Sequence, residues 1–110
     1  MTSIVERFSK YLTSIEYPEK DTSWHIAGIL KNKNAFYKFD VRDMYKMPDG
    51  SLGKKGSTKT KADKIVFETP EKWFIVDVEE FHRYIKNNKL KVIQVEELPS
   101  KLEWNITITK

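Results

Sequence analysis

Three side chains at alternate positions, Lys38, Asp40 and Arg42, point to phosphodiester chemistry. Alternate residues of a strand face the same way, so a carboxylate and a guanidinium two positions apart reach into one space. A carboxylate supplies the hard oxygen that Mg²⁺ prefers. A cation beside a scissile phosphate stabilises the charge that grows there. Asp40 and the upstream Asp21 are therefore the candidate metal ligands, and Lys38 and Arg42 the candidate phosphate contacts. The same trio also suits a solvated strand face carrying a ladder of ion pairs. Taken alone, so short a pattern favours that plainer reading.

A second candidate is the run from Gly53 to Asp63, which combines Gly, Ser and Thr with Lys54, Lys55, Lys59 and Lys61. Such a segment can hold a nucleic-acid backbone through its lysines. It contains no G-x-x-x-x-G-K-[ST] string, so it is not a Walker A loop. Charge supports the binding role. Lys31 to Lys64 holds ten of the chain's 20 bases and four of its 16 acids, so this segment owns the whole positive excess. A concentrated basic patch attracts polyanions, although lysine-rich loops also keep small proteins soluble. Beside this segment, Phe36 and Tyr45 are candidates for stacking on bases. His25 and His82 have no Ser or Asp partner arranged as a triad, and both read as structural or exposed.

Positioning these residues requires a set of elements that the periodicities supply. Ile4, Val5, Phe8, Tyr11, Leu12 and Ile15 recur at helical spacing, which predicts a helix from Ser3 to Glu16, capped by Ser3 with Glu6 and ended by Pro18. Trp24–Leu30 and Ala35–Asp43 read as two strands of a hairpin. Lys46 to Lys61, with Pro48 and three glycines, reads as a flexible basic loop over 46–61. Lys64–Glu68 and Trp73–Val76 form the next strand pair. Asp77 then caps a helix that buries Val78, Phe81 and Ile85. Lys91–Val95 and the alternating Lys101–Thr109 complete the set. The order is α-β-β-β-β-α-β-β, an α+β fold with a single mixed sheet and two helices.

Composition sets the outer limits. At 110 residues the chain reads as one domain, 1–110. With 39% hydrophobic and 13% aromatic residues it is too apolar for a disordered chain. The absence of Cys excludes disulfides, thiolate catalysis and Cys-based metal sites, and two His make a His-rich site untenable. No apolar run reaches the ~18 residues of a membrane span, and the N-terminus does not read as a secretory signal. The expectation is a soluble, cytoplasmic protein without a membrane partner.

The element order and three stretches resemble the PD-(D/E)XK nuclease superfamily, including phage-type members and Holliday junction resolvases. Phe39-Asp40-Val41-Arg42-Asp43 looks like the (D/E)-x-K strand. Thr60-Lys61-Ala62-Asp63 running into Lys64-Ile65-Val66-Phe67, and Trp73 to Ile85 after it, are similar to the downstream strands and helix of phage-type members. The likeness covers roughly residues 36–88. It implies a restriction-endonuclease-like core, Mg²⁺ as cofactor, Asp21 and Asp40 as metal ligands, and Glu6 as a further helical acid of the metal site. Arg42 stands where the motif has Lys. Arginine stays protonated and cannot relay a proton, and no Pro precedes Asp21.

The expectation is a small Mg²⁺-dependent endonuclease cleaving DNA, with Asp40, Arg42 and Lys38 catalytic, Asp21, Asp40 and Glu6 on the metal, and Lys54, Lys55, Lys59 and Lys61 on nucleic acid. The alternative is a non-catalytic module, of viral or mobile-element origin, that binds DNA or a host protein. A homodimer through the Lys101–Thr109 strand is compatible with either.

Overall fold

Ser3 starts the first helix, α1 (Ile4–Ser9), by accepting the Glu6 amide on its hydroxyl at 3.1 Å. The computed structural model describes residues 3–19, 24–31, 33–43, 45–46, 52–53, 61–89 and 95–110. In it α1 ends at Ser9, and Leu12–Glu16 is a strand, β1. The helix expected through Glu16 is corrected here. Leu12 pairs with Leu30 and Thr13 with Ile29, so these residues close the open edge of the next strand instead of continuing the helix. The β-branched Thr13 and Ile15 favour that choice. Ser14 adopts a left-handed φ of 53° where the register shifts between Thr13 and Glu16.

The remaining strands follow the expected hairpins. β2 (Ile26–Leu30) pairs antiparallel with β3 (Phe36–Asp43). Beyond β3, Tyr45–Lys46 (β4) and Leu52–Gly53 (β5) make a two-residue ribbon; most of the predicted 46–61 loop lies outside the described residues. β6 (Lys64–Glu68) then pairs parallel with β3 and antiparallel with β7 (Lys72–Asp77). The turn between them is closed by Thr69, whose hydroxyl accepts the Lys72 amide at 3.0 Å. Asp77 caps α2 (Val78–Asn88) by accepting the Glu80 amide at 3.1 Å. The helix ends at Lys89, in the left-handed region with φ 51°.

Of the strand expected over Lys91–Val95, residues 91–94 lie outside the described set, and Val95 begins a 3₁₀ turn, Val95–Glu97. The strand expected from Lys101 also starts later. Leu98–Lys101 forms a short helix, α3, with Pro99 in its first turn, where a missing amide costs nothing. β8 follows at Asn105–Thr109. Glu80 fixes this junction, since its carboxylate accepts the amides of Glu103 and Trp104.

The result is an α+β fold built on one mixed six-stranded sheet of order β1-β2-β3-β6-β7-β8. Both sheet faces are covered. On one, Phe8 of α1 packs with Ile26, Leu30, Phe39, Val41, Val66, Trp73 and Ile75. On the other, Val78 and Phe81 of α2, with Val95, Leu98 and Leu102, pack over Ile65, Phe67, Phe74 and Val76. Gly28 lets β1 lie close against β2: a Cβ there would stand 2.9 Å from the Thr13 carbonyl oxygen. Among the described residues no helix is long and apolar enough to cross a membrane.

Candidate functional site

Strand alternation puts Lys38, Asp40 and Arg42 on one face of β3, as expected. The covered sheet then changes what that face can do. Asp40 lies beside Ile65 and Arg42 beside Phe67 across the parallel ladder, so both side chains enter the α2 side of the core. Asp40 is 6% exposed and Arg42 5%. The guanidinium closes onto a single carboxylate oxygen: Arg42 Nη2 is 3.1 Å and Nε 3.3 Å from Asp40 Oδ2. The two charges neutralise each other out of water, which is how a buried ion becomes tolerable.

His25 borders the other carboxylate oxygen, with Nδ1 3.5 Å from Asp40 Oδ1. That nitrogen accepts the Val41 amide at 3.0 Å, so its lone pair is committed and the ring proton sits on Nε2. The short contact is therefore not an ion pair in the neutral imidazole. The His25 amide in turn donates to the Phe39 carbonyl at 2.9 Å. His25, read from sequence as structural or exposed, is a half-exposed side chain that braces β3.

Of the other expected site residues, the described ones do not join this pair. Lys38 is exposed, its Nζ 5.5 Å from the centroid of the Trp24 ring. Glu6 is exposed on α1, and α1 packs through Phe8 against Phe39, whose side chain leaves β3 on the face opposite Asp40. The sheet separates the two carboxylates, so Glu6 and Asp40 do not share one ion. Of the expected metal set, Glu6 and Asp40 thus stand on opposite faces of the sheet. Asp21, Lys54, Lys55 and Lys59 lie outside the described residues; Lys61 is described and exposed. Among the described residues no group of three or more His, Asp or Glu is placed to hold a metal ion.

A second cluster, not singled out from sequence, lies where β3 and β6 begin and β7 runs into α2. Lys64 is 6% exposed, with Nζ 2.8 Å from Asp77 Oδ1. The same Nζ stands 3.8 Å from the centroid of Trp104 and 4.7 Å from that of Tyr37. Burial alone would raise the Asp77 carboxyl. The Lys64 and Glu80 hydrogen bonds, with the charges of Lys64 and Arg83, outweigh that and hold it below the ordinary aspartate value. The pairing was within reach of the sequence, because counting back from the Thr69–Lys72 turn sets Lys64 opposite Asp77. Beside this pair opens a cavity of about 520 Å³ whose wall includes Phe36, Tyr37, Asp63 and Glu79.

At the other end of that sheet face Glu68 joins α1 to the chain end. It accepts from Arg7 Nη2 at 2.7 Å and from Lys110 Nζ at 2.8 Å. Burial raises its carboxyl, and the two cations lower it further than burial lifts it.

No family model, curated protein or solved structure matches this chain.

Proposed function

We propose that this protein is a nucleic-acid-binding module that grips the phosphodiester backbone with its Lys31–Lys64 segment and does not hydrolyse it. The observation that carries this reading is the disposition of charge in that segment. Its ten bases outnumber its four acids; the core takes Asp40 with Arg42 and buries Lys64 against Asp77, and the other residues of the segment still hold eight bases against three acids. Lys31, Lys33, Lys38 and Lys61 are all exposed, and exposed lysines attract phosphate through counterion release.

The endonuclease reading, of the PD-(D/E)XK type with Mg²⁺, keeps one supporting observation: Lys38, Asp40 and Arg42 leave β3 on the same side. It requires Asp40 to exchange a buried guanidinium for a metal ion. That exchange would break the buried Asp40–Arg42 pair, a costly step. The binding reading needs no such rearrangement.

Incubation of the purified protein with plasmid and with branched DNA in Mg²⁺ separates the two. The binding reading expects retarded but intact DNA. Cleavage that requires Mg²⁺ and disappears in Asp40→Asn, with circular dichroism unchanged, would establish the nuclease instead. No retardation at moderate salt would redirect attention to a protein partner.

A further inference from the structure

The cavity beside Lys64 sets the exposed ring of Phe36 near the carboxylates of Asp63 and Glu79. We propose that it receives a single nucleobase, stacked on Phe36 and read along its hydrogen-bond-donating edge by Asp63 and Glu79, with guanine the best fit. This rests on the reading that the chain binds nucleic acid.

Phe36 is 43% exposed, an unusual setting for a phenyl ring at the start of a strand whose Phe39 is fully buried. A free aromatic face is what an unpaired base stacks on. The cavity it borders, about 520 Å³, is roomy enough for a base.

The polar groups in the wall narrow the choice. Lys64 is turned to Asp77, Tyr37 and Trp104, and Asp77 is occupied by Lys64 and the α2 cap. Asp63 uses Oδ2 to accept the Lys38 amide at 2.9 Å. Its Oδ1 has no hydrogen-bond partner among the described residues, and neither has the exposed Glu79 carboxylate. Ionised carboxylates only accept. Guanine presents two adjacent donors, N1–H and the N2 amino group, which match one carboxylate. Adenine and cytosine present a single amino group. Thymine presents one imide N–H flanked by two carbonyls, which a carboxylate repels. A base carries no charge, so the acidic wall is no obstacle to it. The phosphates would stay outside on Lys38, exposed and two positions from Phe36 on the same strand face.

Fluorescence anisotropy with a labelled thymine heptamer whose central base is varied tests this, alongside a duplex of the same length. The expected result is tightest binding with guanine at the centre and weakest with thymine, separated by roughly fivefold or more. Phe36→Ala should weaken single-strand binding by roughly fivefold or more and leave duplex binding within about twofold. Glu79→Gln, at an exposed position, should reduce the guanine preference while circular dichroism stays unchanged. Equal affinity for all four central bases, unaltered by Phe36→Ala, would overturn the pocket while leaving backbone binding intact. Failure of every strand and duplex to bind would overturn both.

Discussion

Arg42 and Asp40 form an ion pair inside the protein, Nη2 to Oδ2 at 3.1 Å, with both side chains less than a tenth exposed. A carboxylate held this way is a structural group, and its replacement should be read in stability. Asp40→Ala or Arg42→Ala should each cost about 3–5 kcal/mol, because each takes one member out of a buried ion pair. Replacing both together, by Leu at 40 and Met at 42, should cost less than either single change. Urea denaturation of the three variants measures this. A loss below about 1 kcal/mol in both single variants, the range of a solvent-exposed pair, would contradict the buried pairing.

Gly28 sets how closely β1 lies against β2. Gly28→Ala places a Cβ 2.9 Å from the Thr13 carbonyl oxygen, a backbone atom that can only yield by moving the strand. The expected penalty is about 1–3 kcal/mol, read as a lower denaturation midpoint. Hydrogen exchange should report early opening of Leu12–Glu16. An unchanged midpoint would mean that β1 does not need this close approach.

Acid should weaken the fold through two carboxyls. Asp77 and Glu68 both sit below their ordinary values of 3.8 and 4.5 in the folded chain. The unfolded chain therefore takes up protons first as pH falls. The stabilisation is complete above the ordinary values and is lost as pH drops through them toward the folded ones. Thermal melts should fall in midpoint between about pH 5 and pH 3. The fall should be shallower in Glu68→Gln, which has already lost the charge that Arg7 and Lys110 hold. An identical slope in that variant would remove Glu68 from the explanation.

Much of the fold could be read from periodicity. The β2–β3 and β6–β7 hairpins, the Asp77 cap and the buried face of α2 all follow from alternation, turn residues and capping chemistry. Two kinds of residue misled. Leu12 and Ile15 fit the helical stripe of Ile4, Val5 and Phe8, but the open edge of β2 drew them into a strand, a demand made only by tertiary structure. Lys101 and Leu102 extended an alternating run, but Pro99 and the burial of Leu98 turned that stretch into a helix.

The shared face of Asp40 and Arg42 is legible in the sequence; the environment of that face is not. Spacing put Asp40 and Arg42 on one face, but spacing does not say what covers that face. The packing of α2 and α3 over the neighbouring strands converts an open acid–base pattern into a buried ion pair. The position of Glu6 is hidden for a related reason. A helical acid matched a motif, but its side of the sheet follows from where Phe8 packs. Lys64 was counted only as one more base, because its neighbours Trp104 and Tyr37 arrive from distant parts of the chain.

The most direct test of the account is the salt dependence of binding to a fluorescently labelled single strand, recorded in Mg²⁺ and followed by electrophoresis of the same samples. The account predicts that affinity falls steeply between about 50 mM and 200 mM salt, as expected for several lysine–phosphate contacts, and that the strand stays at full length. Binding indifferent to salt, no binding at about 50 mM, or a shortened strand that survives intact with Asp40→Asn would contradict it.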